Sequence, residues 1–271
     1  MILSDFHMHT TLSTDGQSGM EEMIAAAAEK GLKNICFTEH YDLDNTFGES
    51  EDDFVTDIDN YLGVYNSLKD YASQKKINIY FGLELGLQTY LADDYHILVN
   101  KYPFDFVIGS SHIARRMDVA FPAYYESFGD LKEAMTAYFD AEVANAMCHN
   151  DFDIYGHLDY AWRYAPDRPE RYEYSDYADS LDRLLNVLIK KGKGIEINTA
   201  GLRKGCAEPN PEICVLERYR ELGGEIITVG SDAHNTKDIA ADFDRAEEIL
   251  KAVGFKKYAY FVGRKLCFED L

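Results

Sequence analysis

The chain has 271 residues, of which 46% are hydrophobic and 28% charged, so it can bury a large core and is neither disordered nor fibrous. Its formal net charge of −21 argues against non-specific binding to nucleic acid or to an anionic membrane, because both attract basic surfaces. The five cysteines form no C-x-x-C pair and therefore indicate neither a thiolate zinc site nor a disulfide framework.

Short apolar or β-rich runs alternate with segments of helical periodicity along the chain. We predict strands at 1–6, 34–37, 77–83, 104–110, 152–156, 194–198 and 225–230. We predict helices at 20–30, 58–74, 131–149, 177–191, 211–222 and 237–253. Because no linker interrupts the alternation, we expect a single α/β domain over 1–271, a distorted (β/α)7 TIM-like barrel.

Three polar segments, 42–59, 115–129 and 162–175, are predicted to be loops near a functional site. The last residues, 258–271, contain two short β-like runs whose place in the fold the sequence leaves open. No stretch reaches the roughly 20 apolar residues of a membrane span, and no cleavable signal precedes the first strand. We therefore expect a cytoplasmic protein.

The end of the first predicted strand carries His7 and His9. Residues i and i+2 of a strand face the same side, so both imidazoles can face one metal ion. A lone H-x-H pair is weak evidence, because exposed or hydrogen-bonded histidines are common.

Every other predicted strand also ends on side chains that can bind or orient a metal. These residues are Glu39, His40, Glu84, Ser110, His112, His157, Asp159, Glu196, Asn198, Asp232 and His234. In a parallel barrel the C-terminal strand ends open on one face, where active sites lie. We therefore expect the side chains to converge there, with Glu39, Asp159 and Glu196 acting by hydrogen bonds around the metal-bound imidazoles.

Imidazole and carboxylate ligands without thiolates favour Zn, Mn or Fe. The candidate ligands are more numerous than a single tetrahedral ion uses, so the sequence predicts two or three divalent metal ions. Such a cluster suits the hydrolysis of phosphate esters, because it activates water and clamps the attacking and leaving oxygens.

The ordered motifs resemble those of the polymerase and histidinol phosphatase (PHP) superfamily over nearly the whole chain. They are His7-Met8-His9-Thr10, Thr38-Glu39-His40, Glu84, His112, Gly156-His157 and Ser231-Asp232-Ala233-His234. The resemblance implies three ions, bound by His7, His9, Glu84 and Asp232; by Glu84, His112 and His157; and by Asp15, His40 and His234. Asp15 departs from members that carry histidine at this position.

Residues 196–205 resemble the histidinol-phosphate phosphatases within that superfamily. This resemblance implies hydrolysis of a small phosphate monoester, L-histidinol phosphate, with Asp232, His234 and Arg203 as catalytic residues. Arg203 is also a candidate to bind the phosphate, because its guanidinium matches phosphate oxygens, whereas the alternative is a surface ion pair. Arg163 and His40 are further candidates for substrate binding.

Three other functions stay open at this point. A phosphodiesterase or exonuclease of the same superfamily, or a phosphatase for another monoester, would use similar ligands, although nucleic-acid enzymes usually carry a basic track. A metal amidohydrolase also begins with H-x-H but often has a lysine at the fourth strand end, where this chain has Ser110, Ser111 and His112. A metal-binding protein without turnover is the third. The oligomeric state stays open.

Overall fold

The computed structural model describes residues 1–45 and 54–271. Seven parallel strands lie in sequence order in one sheet: β1 (Ser4–Asp5), β2 (Asn34–Tyr41), β3 (Asn78–Gly86), β4 (Phe106–Ser110), β5 (Ile154–Tyr155), β6 (Gly194–Asn198) and β7 (Ile227–Gly230). The two ends of the sheet meet, because the Phe6 N–H donates to the Val229 carbonyl at 3.0 Å and Met8 bridges Ala233 in parallel. The predicted TIM-like barrel is confirmed.

Most of the helices pack on the outer side of the barrel. In the described part of the chain the helices are α1 (Met20–Glu29), α2 (Ile58–Ser67), α3 (Lys69–Gln74), α4 (Ala92–Lys101), α5 (Pro122–Glu126), α6 (Leu131–Cys148), α7 (Tyr174–Lys190), α8 (Ala200–Arg203), α9 (Ile213–Glu221) and α10 (Phe243–Val253). The helix α7 shows why they pack there: Leu181, Leu184, Leu185 and Leu188 recur at helical spacing and are fully buried. None of the helices has the length and apolar character that crossing a membrane requires.

Several predicted boundaries were wrong for local reasons. The predicted helix 58–74 is two helices that meet at Leu68, whose N–H donates to the Tyr65 carbonyl three residues back. The predicted helix 237–253 begins only at Phe243, after Ala240 and Asp242, which both have positive φ. Strands β2 and β3 extend further than predicted, so that His40 and Glu84 lie within them.

Two predicted connections contain secondary structure that was missed. The helix α4 was not predicted, because it buries only Tyr95 and Val99 while Ile97 is exposed, which gives a weak periodic signal. The predicted loop 115–129 contains the helix α5 and one strand of a small hairpin, Ile113–Ala114 with Met117–Asp118. Residues 46–53 of the predicted loop 42–59 lie outside the described residues.

The last two β-like runs form an antiparallel hairpin, Lys257–Val262 with Lys265–Asp270, at the N-terminal mouth of the barrel. Phe261 is buried and stacks on Phe106 with 5.2 Å between ring centroids. At the turn, the Arg264 N–H donates to the Asp105 carbonyl and its Nε donates to Asp153 Oδ2. The hairpin therefore closes this mouth and leaves the C-terminal mouth as the open one.

We expect Phe261→Ala to lower the free energy of unfolding by about 3 kcal/mol, because it removes a buried ring and leaves a cavity beneath the barrel. Denaturant unfolding measures this change. Phe268→Ala, on the same hairpin but 42% exposed, is the matched control and should cost much less. Equal losses in the two variants would contradict the role of Phe261 as the plug of the barrel.

Candidate active site

His7 and His9 lie just beyond β1, on a segment that is hydrogen-bonded to the residues after β7. The Asp232 N–H donates to the His7 carbonyl and the His9 N–H donates to the Ala233 carbonyl, each at 2.8 Å. Both histidine side chains are fully buried, with ring centroids 5.2 Å apart. The H-x-H spacing therefore puts both imidazoles inside the C-terminal mouth of the barrel.

The Glu84 carboxylate is the centre of the site and is fully buried. Five imidazoles place a ring nitrogen 3.0 to 3.4 Å from one of its two oxygens: those of His7, His9, His40, His112 and His157. His157 and His112 face Oε1, and the other three face Oε2. One carboxylate thus joins imidazoles from four different parts of the sequence.

The other predicted metal ligands, Asp15, Asp232 and His234, lie on the more exposed side of this centre. Asp15 Oδ2 is 3.0 Å from His234 Nε2, and Asp15 Oδ1 is 3.7 Å from His40 Nε2. Asp232 Oδ1 is 3.6 Å from His9 Nε2. All nine predicted ligands therefore belong to one connected cluster, in which the Asp15 side chain is the most exposed at 44%.

The donor atoms of this cluster fit divalent cations. Among the described residues, His7 Nε2, both ring nitrogens of His9 and Glu84 Oε2 are buried and have no hydrogen-bond partner. Leaving buried polar atoms unpaired is costly, and the carboxylate oxygen and one nitrogen of each imidazole can bind a metal ion. Four groups of three residues in the cluster bring their donor atoms within 4.8 Å of one another. The cluster can therefore bind metal ions, as the sequence predicts.

The charges in the cluster divide the imidazoles into two kinds. Burial lowers the pKa of His9, with help from His40 and His234, and burial also lowers the pKa of His157. These two rings are neutral, which is the form that binds metal. Burial opposes protonation of His112 as well, but Asp42 and Glu84 outweigh it and raise its pKa to about 10. A cation that binds there has to displace a proton.

Two buried carboxylates orient the imidazoles from behind. Glu196 Oε2 lies 3.0 Å from His7 Nδ1, and Asp42 Oδ2 lies 2.6 Å from His112 Nδ1. Each contact leaves the Nε2 atom of its histidine facing Glu84, which is how partners of metal-bound histidines act. The role of Asp42 was missed, although its position two residues after His40 puts it on the same side of the extended chain.

Glu39 and Asp159 were also expected to act by hydrogen bonds. Both accept hydrogen bonds, but from residues of neighbouring loops and not from the imidazoles. Glu39 accepts the hydroxyls of Thr10 and Ser13 at 2.7 and 2.5 Å. Asp159 accepts the Tyr172 hydroxyl at 2.9 Å and the Glu212 N–H at 2.8 Å. Of the three carboxylates in that prediction, only Glu196 contacts an imidazole in the described structure.

Asp5 holds the segment after β7, which carries Asp232 and His234. Its carboxylate accepts the Ser231 N–H at 2.9 Å, the Ser231 hydroxyl at 2.5 Å and the Ala240 N–H at 3.0 Å. Asp232 itself has φ 53°, a left-handed conformation that costs free energy for a residue other than glycine. The bonds to Asp5 fix both ends of the segment and so stabilise this conformation.

A cavity of about 430 Å³ opens over the cluster and has cationic residues, Arg163, Arg203 and Lys204, on its wall. Arg203 Nη2 donates to the Ser231 carbonyl at 2.6 Å, while its buried Nη1 has no hydrogen-bond partner among the described residues. Arg163 is buried and donates to Asp232 Oδ2 at 3.2 Å and to Asn198 Oδ1 at 2.8 Å. The cavity thus combines candidate metal donors with positive charge suited to an oxyanion.

The chain is similar to known proteins in sequence. Residues 5–200 match the family model described as PHP domain. A probable histidinol-phosphatase of Clostridium acetobutylicum is 35% identical, over 93% of this chain and 96% of its own length. The histidinol-phosphatase of Lactococcus lactis is 29% identical, over 97% of this chain and 95% of its own length.

Solved structures are similar as well. The histidinol phosphate phosphatase of L. lactis, crystallised with zinc, L-histidinol and phosphate, superimposes with a TM-score of 0.85. It is 29% identical, and the match covers 97% of this chain and 98% of that chain. A protein from Listeria monocytogenes, 19% identical, has a TM-score of 0.78 over 89% of this chain and 99% of its own, which shows the shared fold.

We expect Asp42→Ala to weaken zinc binding by roughly 10- to 100-fold, because His112 loses the carboxylate that orients it. Competition with a chromophoric chelator measures the affinity. Asp44→Ala is the matched control, because Asp44 is 38% exposed and contacts Tyr90 and Arg116 instead. Unchanged zinc affinity in Asp42→Ala would show that the contact with His112 does not support a metal ion.

Proposed function

The chain belongs to the PHP domain family, and from this membership and the geometry of the site we propose that it is a histidinol-phosphatase. The reaction is the metal-dependent hydrolysis of L-histidinol phosphate to L-histidinol and phosphate. The observation that carries the proposal is the cavity in which a buried imidazole and carboxylate cluster faces arginine side chains. The relative from L. lactis, which binds zinc, L-histidinol and phosphate, supports the choice of substrate.

We assign the nine ligands to three cation positions. The first would be held by His7, His9, Glu84 and Asp232, the second by Glu84, His112 and His157, and the third by Asp15, His40 and His234. When bound, divalent ions supply Lewis acidity and bring the pKa of a water at this place down towards about 7. Zinc is the ion that the relative from L. lactis contains, and Mn and Fe suit the same donors.

Arg203 binds the phosphate in this proposal. Its Nη1 is buried without a partner among the described residues, and the carbonyl of Ser231 holds the guanidinium in place. A fixed donor that faces the equatorial oxygens stabilises the charge that develops in the transition state. Arg163 donates from Nε to Asn210 and from its two terminal nitrogens to Asp232 and Asn198, so that one N–H on each terminal nitrogen is left for the substrate.

Asp232 and His234 are the other residues that we assign to catalysis. Asp232 Oδ1 faces His7 and His9, while Arg163 anchors Oδ2. As the bond from the water oxygen to phosphorus forms, the bond between phosphorus and the ester oxygen breaks, and the proton that Asp232 takes from the water passes to the departing ester oxygen, which leaves as the hydroxyl of L-histidinol. His40 also lines the cavity and stays a candidate for substrate binding.

A cytoplasmic location and the absence of nucleic-acid substrates stay predictions.

We expect the zinc- or manganese-loaded protein to release phosphate from L-histidinol phosphate far faster than it cleaves bis-p-nitrophenyl phosphate. A phosphate-release assay and the absorbance of nitrophenol measure the two rates. Treatment with a chelator should abolish turnover, and added metal should restore it. Faster cleavage of the diester would favour a phosphodiesterase, and absence of turnover with both would contradict the proposal.

We expect Arg203→Ala to lower kcat/KM for L-histidinol phosphate by roughly 100-fold, because a charged donor to the transition state is lost. Inhibition by inorganic phosphate should weaken in parallel, while the zinc content is retained. Arg245→Ala is the matched control, because Arg245 lies on α10 with a side chain that is 53% exposed. Full activity of Arg203→Ala would show that phosphate is bound elsewhere in the cavity.

A further inference from the structure

One carboxylate on the cavity wall has no part in the imidazole cluster. Four carboxylates line the cavity in the described part of the chain: those of Asp15, Glu84, Asp232 and Asp238. The first three contact imidazoles of the cluster. Asp238 instead lies beside Arg203, with 3.6 Å between Asp238 Oδ1 and Arg203 Nε. Its negative charge is therefore available for another purpose.

The position of Asp238 is fixed by its surroundings. Asn235 Nδ2 donates to Asp238 Oδ2 at 3.1 Å. The Lys30 ammonium donates to the carbonyls on either side, that of Lys237 at 2.7 Å and that of Ile239 at 2.5 Å. A side chain held at both its oxygen and its backbone is preorganised, which lowers the entropy cost of binding a ligand.

Asp238 is also free to accept a ligand. Its side chain is 34% exposed, and its contact with Arg203 is longer than a hydrogen bond. Arg203 does not depend on this contact for its position, because its Nη2 already donates to the Ser231 carbonyl at 2.6 Å. A carboxylate beside a phosphate-binding arginine presents opposite charges next to each other on one wall.

We propose that Asp238 binds the ammonium group of the substrate and thereby selects phosphate monoesters that carry a positive charge beside the phosphate. This inference rests on the proposed function. In L-histidinol phosphate the phosphate and the ammonium are on neighbouring carbon atoms, so that a phosphate held by Arg203 brings the ammonium next to Asp238. The cationic side chains of the same wall, Arg163 and Lys204, repel the ammonium and leave Asp238 as its partner.

The test compares two substrates that differ only in the ammonium group, L-histidinol phosphate and imidazolylpropyl phosphate. The quantity measured is the ratio of their kcat/KM values in the wild type and in Asp238→Asn. We expect the ratio to fall about tenfold or more in the variant, because a charge-assisted hydrogen bond is lost for one substrate alone. Asp244→Asn, an exposed residue at the start of α10, is the matched control and should keep the wild-type ratio.

A ratio that is unchanged in Asp238→Asn, with both substrates slowed equally, would show that Asp238 only places Arg203 and would overturn the inference. Asp238→Glu keeps the charge and should keep most of the preference, whereas a ratio as low as that of Asp238→Asn would also count against it. Zinc content and thermal unfolding show that each variant is folded. If the wild type hydrolysed neither monoester, the proposed function itself would fail, and the inference with it.

Discussion

The buried carboxylate of Glu84, enclosed by five imidazoles, is the interaction on which the rest of the site depends. A charged group without access to water is tolerated only when it is paired and its remaining lone pairs are satisfied. Here the imidazoles pair with it, yet several of their nitrogen atoms and Glu84 Oε2 have no hydrogen-bond partner among the described residues. Divalent cations would bind one nitrogen of each imidazole together with Glu84 Oε2, which makes the cluster a site that metal binding stabilises.

The barrel makes this enclosure possible because it has glycine at positions where a side chain would collide with the cluster. A Cβ atom at Gly230 would lie 2.4 Å from the Cβ of His7, and one at Gly86 would lie 2.4 Å from the Cγ of Asp42. Gly230 therefore leaves room for His7, a candidate metal ligand, and Gly86 leaves room for Asp42, the partner of His112. The backbone conformation of Asp232 serves the same purpose, because the bonds from Ser231 and Ala240 to Asp5 hold its segment over the cluster.

Much of this arrangement could be predicted from the sequence, since it depends on periodicity. The alternation of strands and helices predicts the barrel, and the ligands stand at strand ends, where a parallel barrel brings them together. What was missed depends on contacts across the sequence. The helix α4 buries only two of its 10 residues, and nothing local shows that Phe261 fills the N-terminal mouth against Phe106. In the sequence Asp42 is the first residue of a predicted loop, and its contact with His112 exists only in the folded chain.

The placement of charge explains how a chain with a net charge of −21 can attract an anion. The potential at a closed site depends on the groups that face it and on bound ions more than on the total charge. Several acidic residues here are paired with imidazoles, and the guanidinium of Arg203 is anchored by a carbonyl, which holds it without neutralising it. Anchoring by the Ser231 carbonyl keeps the charge of Arg203 available, and Asp238 then adds a separate negative charge at the edge of the same cavity.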